Sequence, residues 1–222
     1  MAAMPIVAVV GGLYALVLQH FNRYAPEPYM VYPKDEIFHV PQAQRYCAGR
    51  FDEWDPKITT FPGLYVAAVA LARVARALVP STEDPDAFCS TALLRSVNVI
   101  FVIGNTVLLF RLRAALVPND RNAMLHALMI IMFPVLFFFS FLFYTDMGAT
   151  FYVLLMYYLA LPDSNDGTHR PSPIRLVPSA MAGALAVLFR QTNIVWVVFV
   201  AGTVVVRIVE QTNGYEIYGR PS

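Results

Sequence analysis

Apolar runs long enough to cross a lipid bilayer recur along this chain, and they constrain its fold more than any other feature of the sequence. A spanning helix needs about 20 predominantly apolar residues and must satisfy its own backbone polar groups inside lipid. We therefore predict an all-α, polytopic membrane protein with about six or seven apolar helices and a long polar first loop. The runs cover residues 4–21, 62–79, 92–112, 123–143, 147–161 and 174–209.

The composition agrees with this class and argues against others. Apolar residues make up 58% of the 222 and charged residues only 14%, which lies outside the normal range of a soluble domain. The first run lacks a basic leader and a small-residue cleavage site, so we interpret it as a retained helix. The net charge of +1, without a stripe of Lys and Arg, argues against nucleic acid as a partner and leaves membrane lipid.

Polar residues interrupt or mark several of the runs. Pro134 interrupts the fourth run, and the sequence RQTN at 190–193 interrupts the last one. A charge at mid-membrane costs at least about 2.5 kcal/mol, so two helices with a break are favoured over one continuous helix. Asn98, Asn105 and Thr106 fall on one face of the third run, which predicts that this face contacts protein rather than lipid.

The first loop, residues 25–61, gathers carboxylates, amides, basic groups and aromatic side chains between two apolar runs. Pro41 at a first helical position and Gly49 just past an end bracket a short predicted helix. Asp35 and Glu36 precede it. One further turn would bring both carboxylates to its N-terminus, whose partial positive charge favours the ionised form.

The two cysteines, Cys47 and Cys89, are expected to be free thiols, because they make no disulfide framework and lack metal-ligand spacing. The sequence contains no Asp-x-Asp pair and no His/Asp cluster of the kind that binds a divalent ion. We therefore predict chemistry without a metal and without a cofactor.

The distribution of charge leaves the topology open. If the first loop lies outside the cytosol and every run crosses, the basic residues of this loop and those of 111–121 all lie outside, against the usual bias. The same alternation places Asp146 on the side opposite Asp35. Either one run is then re-entrant, or Asp146 is structural.

Six motifs stand out along the chain: PYM at 28–30, DEIFHVPQAQRYC at 35–47, WDP at 54–56, ITTFPGLY at 58–65, FYTD at 143–146 and RQTNIVW at 190–196. Together they resemble the endoplasmic-reticulum alpha-1,2-glucosyltransferase family, which uses dolichyl phosphate glucose to add the last glucose to the lipid-linked oligosaccharide.

Two departures from the family pattern are visible. Residues 31–34 separate Tyr29-Met30 from the acidic pair, and a complete member is much longer. Residues 1–222 are therefore expected to form one transmembrane domain, the incomplete N-terminal portion of a longer enzyme.

The resemblance implies a multispanning, GT-C-like glycosyltransferase in the endoplasmic reticulum membrane, with a lumenal first loop. The implied reaction is an inverting transfer of glucose from dolichyl phosphate glucose to a glucose 2-hydroxyl of the dolichyl-diphosphate oligosaccharide acceptor. Such a displacement needs a base for the hydroxyl and positive or dipolar groups at the departing phosphate.

Asp35 is the leading candidate for the base, and Glu36 is its rival or partner. The alternative is that this acidic pair only caps a helix. His39 is a candidate to orient the acceptor or to tune the acids, against a purely structural interfacial histidine. Arg190 is the candidate contact for the lipid phosphate, with a structural arginine at a helix break as the alternative.

Further substrate-binding candidates lie in the same two motif regions. Trp54 is expected to stack on a sugar ring, and Arg45 and Lys57 to attract phosphate, although solvated loop charges are the simpler interpretation. The remaining candidates are Gln42, Asp55, Gln191 and Asn193.

Two other functions stay open. Broken apolar runs and a charged residue within them also mark substrate pathways, so a transporter or lipid-handling protein is one alternative. A catalytically inactive fragment is the other.

Overall fold

The computed structural model describes residues 3–28, 36–78, 88–117, 119–162 and 172–213. Within these ranges the chain forms nine α-helices and no strand. The all-α, polytopic class predicted from the sequence is confirmed. The helices are α1 (Ala3–Tyr24), α2 (Glu36–Cys47), α3 (Gly63–Leu78), α4 (Thr91–Leu116), α5 (Ala123–Ile131), α6 (Pro134–Phe139), α7 (Asp146–Ala160), α8 (Pro173–Phe189) and α9 (Ile194–Asn213), with a 3-10 turn at Gln191–Asn193 between the last two.

Within the described ranges, three stretches are long and apolar enough to cross a membrane, namely Met4–Tyr24, Thr91–Leu116 and Gln191–Glu210. Helix α8 is apolar but shorter. The chain is therefore an integral membrane protein, and its total number of spans stays a prediction.

The C-terminus of α1 and the N-terminus of α4 lie at the same end of the bundle. Arg95 of α4 donates hydrogen bonds to Asn22 Oδ1 at 2.8 Å and to the carbonyl of Ala25 at 2.6 Å. We call this the loop end, and the opposite end, where α4 finishes at Leu116, the far end. Between Tyr24 and Ser90 the chain thus makes no net crossing.

The prediction that residues 62–79 form a spanning helix is therefore wrong. Helix α3 has 16 residues, and a helix of that length rises only about 24 Å, less than the hydrocarbon core. It also carries Arg73 and Arg76 in its second half, and only residues between Leu64 and Ala72 are buried. From sequence alone, an apolar run of this length fits either a short spanning helix or a packed helix at one end of the bundle. The contacts of α3 with α2 place it at the loop end.

The fourth apolar run is two short helices rather than one. Helix α5 ends at Ile131, Pro134 begins α6, and residues 140–145 are non-helical before α7 begins. Proline lacks the N–H that a continuous helix needs and clashes with the preceding turn, so the run breaks there. The hydroxyl of Tyr14 donates to the carbonyl of Ile131 at 3.1 Å, which ties this break to the middle of α1.

Helices α7 and α8 pack closely and antiparallel. Gly148 near the start of α7 faces Phe189 at the end of α8, where a Cβ would overlap the phenyl ring. A Cβ on Gly63 would lie 2.7 Å from the carbonyl oxygen of Leu188, so the junction of α8 with the start of α3 also lies at the loop end.

The predicted break after α8 is confirmed. Strict alternation of the runs would have placed Asp146 opposite the first loop. Since α3 makes no crossing, Asp146 lies at the loop end.

The polar face predicted for α4 is buried against protein, as expected. Asn98, Asn105 and Thr106 have no exposed surface. Asn98 Nδ2 donates to the carbonyls of Leu142 and Tyr144, and Asn105 Nδ2 donates to that of Met147 at 3.0 Å. The face therefore holds the non-helical segment 140–145 in place.

Cys47 and Cys89 form a disulfide, so the expectation of free thiols is wrong. The bond joins the C-terminus of α2 to the residues just before α4, across 42 positions of sequence. Sequence spacing carries no information on such proximity, because the fold creates it.

Candidate functional site

Helix α2 is the central element of the candidate site. It begins at Glu36 and contains Pro41, so the predicted start at the proline is wrong by more than a turn. The predicted extra turn exists, and Glu36 lies at the helix N-terminus. Asp35, the leading candidate for the base, lies outside the described residues.

Glu36 forms a fully buried ion pair with Arg95, and neither side chain has exposed surface. Its Oε2 accepts from Arg95 Nη2 at 2.6 Å, and its Oε1 accepts from Arg95 Nε at 2.8 Å and from the backbone N–H of Phe143 at 2.6 Å. These contacts join α2, α4 and the segment 140–145. This geometry suits a residue that positions the site, and the catalytic part assigned to Glu36 stays a prediction.

Sequence reasoning missed Arg95. The available signal was a charge near the start of the apolar run 92–112, three positions before Asn98 and so on the same helical face. Arg95 donates hydrogen bonds to Glu36, to Asn22 and to backbone carbonyls of the first loop, including that of Glu27 at 3.1 Å.

His39 is buried one turn further along α2. Its Nδ1 lies 2.6 Å from the hydroxyl of Tyr65, and its ring makes an edge contact with Tyr144. Burial lowers the pKa of His39 to about 4, against the opposing effect of the negative charge on Glu36. The imidazole is therefore neutral at pH 7, and its positive charge is not available there to tune the neighbouring acids.

An aromatic cluster of Tyr46, Trp54 and Tyr65 forms the wall beside His39. Trp54 is 37% exposed and donates through Nε1 to the carbonyl of Ile58 at 3.3 Å. Since Tyr65 is fully buried behind it, Trp54 offers the accessible ring of this cluster. A half-exposed indole on a polar loop is suited to contact with a sugar.

Gln42 and Asp55 hold the loop that carries Trp54. Gln42 is buried, donates from Nε2 to the carbonyl of Glu53 at 2.7 Å and accepts at Oε1 from the backbone N–H of Asp55 at 2.9 Å. The carboxylate of Asp55 accepts from the N–H of Lys57 at 2.9 Å. The described contacts of these two residues are thus with the loop itself.

Among the described residues of the first loop, the basic side chains lie on its surface. Arg45 approaches Glu53 at 3.8 Å, and the ammonium of Lys57 lies over the ring of Phe38, 5.4 Å from its centroid. Both groups are open to solvent, so their predicted contact with phosphate stays a prediction.

Arg190 lies in the break between α8 and α9, where its guanidinium donates from Nη1 to Oδ1 of Asp146. Arg190 is 38% exposed and Asp146 is 27% exposed, so the pair sits at an open surface. Asn193 donates to the carbonyl of Ala186 at 2.8 Å and closes the break, while Gln191 donates to that of Thr59 at 2.8 Å and attaches it to the first loop.

A groove of about 600 Å³ runs from this ion pair between α7 and α9. From Asp146 to Tyr157 the wall on α7 descends by about 16 Å at the usual helical rise. We call it the α7–α9 groove. Its polar lining lies at the loop end, with Asp146, Arg190, Thr192 and Asn193, and below that the lining is mainly apolar, with Ala149, Thr150, Val153, Leu154, Tyr157, Trp196, Phe199 and Val200.

The segment from Phe143 to Asp146 connects the groove to the first-loop cluster. Phe143 donates to Glu36, Tyr144 contacts His39, and Asp146 pairs with Arg190. Three residues of backbone span at most about 11 Å. The structure therefore brings Glu36, His39 and Arg190 to one end of the molecule as neighbours.

The described part of the chain shows no set of side chains arranged as metal ligands. No group of three or more His, Cys, Asp or Glu side chains is close enough there to hold an ion. The expected absence of a metal stays a prediction.

Comparison with known proteins gives a consistent match. The model of the DIE2/ALG10 family matches residues 25–217. A relative from Mus musculus is 42% identical over 194 residues, covering 84% of this chain and 37% of the relative. One from Rattus norvegicus is 41% identical over 197 residues (86% and 38%), and one from Arabidopsis thaliana is 41% identical over 202 residues (88% and 37%).

Each of these relatives is named Dol-P-Glc:Glc(2)Man(9)GlcNAc(2)-PP-Dol alpha-1,2-glucosyltransferase. This chain spans less than two fifths of their length, at 37% to 38%. No solved structure matches it.

Proposed function

Because the chain belongs to the DIE2/ALG10 family, we propose that it acts in glucose transfer from dolichyl phosphate glucose to the lipid-linked oligosaccharide of N-glycosylation. The acceptor atom is the 2-hydroxyl of the terminal glucose, and the anomeric configuration inverts. The donor and the acceptor follow the names of the relatives.

The observation that carries this proposal is the joining of two features at the loop end. One is the aromatic cluster of Tyr46, Trp54 and Tyr65 beside His39, and the other is the α7–α9 groove with a guanidinium at its polar end. A lipid that bears a phosphate has the same division into anionic head and apolar tail. We assign the donor phosphate to Arg190 and the acceptor sugar to the side of Trp54 and His39.

In the proposed reaction, Asp35 accepts the proton of the acceptor 2-hydroxyl as general base. The hydroxyl oxygen forms a bond to C1 of the donor glucose, while the bond from C1 to the phosphate oxygen breaks. Dolichyl phosphate leaves with the bonding electrons, and Arg190 stabilises its growing charge. Asp35 then releases the proton to water.

We further propose that the chain lies in the endoplasmic reticulum membrane with its first loop in the lumen. The disulfide between Cys47 and Cys89 favours an oxidising compartment for this loop. Arg111, Arg113 and Arg121 lie at or just beyond the far end of α4, so a lumenal loop end leaves them in the cytosol, in line with the positive-inside tendency.

A chimera of the mouse relative that carries this chain in place of the matched segment tests the proposal. In cells that lack the terminal glucosyltransferase, the chimera should restore the fully glucosylated lipid-linked oligosaccharide, measured by chromatography of the released glycan. The Asp35→Asn form should reduce transfer by about 10² to 10⁴, the usual contribution of a positioned base. Near-normal transfer by that form, with normal expression, would remove Asp35 from the role.

A lipid-handling protein is the second candidate, favoured by the amphipathic α7–α9 groove itself. This alternative predicts lipid movement between vesicle leaflets without any glycosyl product. Glucose transfer that depends on Asp35 would exclude it as the main function.

A further inference from the structure

Asp146 is an acid beside the one site where we assign a phosphate. We propose that Asp146 makes the α7–α9 groove select the singly charged phosphodiester donor over the diphosphate acceptor. This inference rests on the proposed donor site at Arg190. It adds a specificity-determining residue to that site.

The proposed donor and acceptor are both lipids, so the groove has to bind one in preference to the other. Both carry the same polyprenyl tail, so the apolar walls contributed by residues such as Val153 and Phe199 cannot tell them apart. What differs at the polar end is charge. The phosphodiester of the donor carries one negative charge, whereas the diphosphate of the acceptor carries at least two.

The charges that line the groove are balanced. Among the described residues of its lining, Arg190 is the one cation and Asp146 is the one anion. Asp146 therefore repels any phosphate that approaches Arg190. The repulsion grows in proportion to the charge of the ligand, and it is stronger beside apolar walls than in water.

Asp146 is held in place while Arg190 keeps donors for a ligand. The backbone around Asp146 is fixed by Asn98, which donates to the carbonyl of Tyr144, and by Asn105, which donates to that of Met147. The recorded side-chain bond of Arg190 uses Nη1 alone. A guanidinium has five N–H donors, so others remain for phosphate oxygens while the ion pair persists.

This arrangement makes a quantitative prediction. If Asp146→Asn strengthens binding of a phosphodiester by a factor f, it should strengthen binding of a diphosphate by about f², because the removed repulsion doubles with the charge. Selectivity for the phosphodiester then falls by the same factor f.

The test measures displacement of a fluorescent polyprenyl phosphate glucose from the purified chain in nanodiscs. The competitors are unlabelled polyprenyl phosphate glucose and a polyprenyl diphosphate sugar of equal chain length, which carries two negative charges. We expect Asp146→Asn to bind both more tightly and to lose about tenfold in selectivity, which corresponds to about 1.4 kcal/mol of removed repulsion. Asp146→Glu, which keeps the charge, should keep the selectivity.

Glu53→Gln is the matched control, because it removes one negative charge from an exposed site on the first loop, outside the groove. It should leave the selectivity unchanged. Thr150→Asp adds a charge within the groove lining and should raise selectivity, so it decides the matter if Asp146→Asn fails to fold. An unchanged ratio in the folded Asp146→Asn chain, or an equal loss of selectivity in Glu53→Gln, would overturn the proposal.

The binding readout separates this inference from the proposed function. Selectivity that depends on Asp146, without glucose transfer by the chimera, would defeat the proposed function and leave the inference standing. Glucose transfer by the chimera, combined with a selectivity that does not depend on Asp146, would defeat the inference and leave the proposed function standing.

Discussion

At the scale of single residues, the pair of Glu36 and Arg95 should dominate the stability of the site. Replacing Glu36 by Gln leaves Arg95 buried without its counter-ion, and breaking a buried pair in this way costs about 3 to 5 kcal/mol. We expect that decrease in the free energy of unfolding, measured by titration with a denaturing detergent.

Arg50→Gln is the control for this measurement. Its ion pair with Glu53 is exposed, with side chains 54% and 42% accessible, and such pairs contribute about 1 kcal/mol or less. A loss below about 1 kcal/mol for Glu36→Gln as well would mean that water reaches the pair.

The sequence predicted only half of this pair. Two acids before a helix are a visible pattern, and the described member, Glu36, does begin α2. Arg95 could not be matched to it, because the two residues are 59 positions apart and no local pattern links them. The same holds for Asp146 and Arg190, each of which was noticed alone, while their contact depends on how α7 and α8 pack.

At the scale of helices, α7 and α8 pack so closely that position 148 requires glycine. Alanine there would overlap the ring of Phe189, which is only 2% exposed and packed within the core. We expect Gly148→Ala to lower the free energy of unfolding by about 1 to 3 kcal/mol, the usual cost of overpacking.

Gly12→Ala provides the contrast within α1, because a Cβ at Gly12 would meet nothing within 4 Å. There the change should be neutral or stabilising by up to about 1 kcal/mol, since alanine favours a helix over glycine. If both variants behave alike in the same detergent titration, the contact of α7 with α8 is looser than described.

Helix breaks were predictable where local chemistry causes them, as at Pro134 and at residues 190–193. The prediction failed where only tertiary structure decides. Helix α3 has the apolar character of a short span, yet its neighbours α2 and Cys89 both lie at the loop end. Strict alternation, which counts α3 as a crossing, therefore assigns the wrong side to the residues that follow, including Asp146.

At the scale of the whole molecule, the two ends should differ in access to the glycosylation machinery. Arg50→Asn with Asp52→Thr creates an Asn-x-Thr acceptor on an exposed part of the first loop, and Arg121→Thr creates one at Asn119 beyond the far end of α4. We expect a glycan on the first variant alone, detected as an electrophoretic shift that an endoglycosidase removes. Modification of the Arg121→Thr variant would contradict the proposed orientation.

Helix α2 has two fastenings. The Glu36–Arg95 pair joins its beginning to α4, and the Cys47–Cys89 bond joins its end to the residues just before α4. The covalent fastening closes a loop of about 42 residues, which in the chain-entropy model is worth roughly 4 kcal/mol. The two fastenings differ in kind, because a thiol reductant severs the disulfide and leaves the ion pair. A helix held at both ends does not swing away from α4, so under the proposed function a bulky sugar chain enters beside α2.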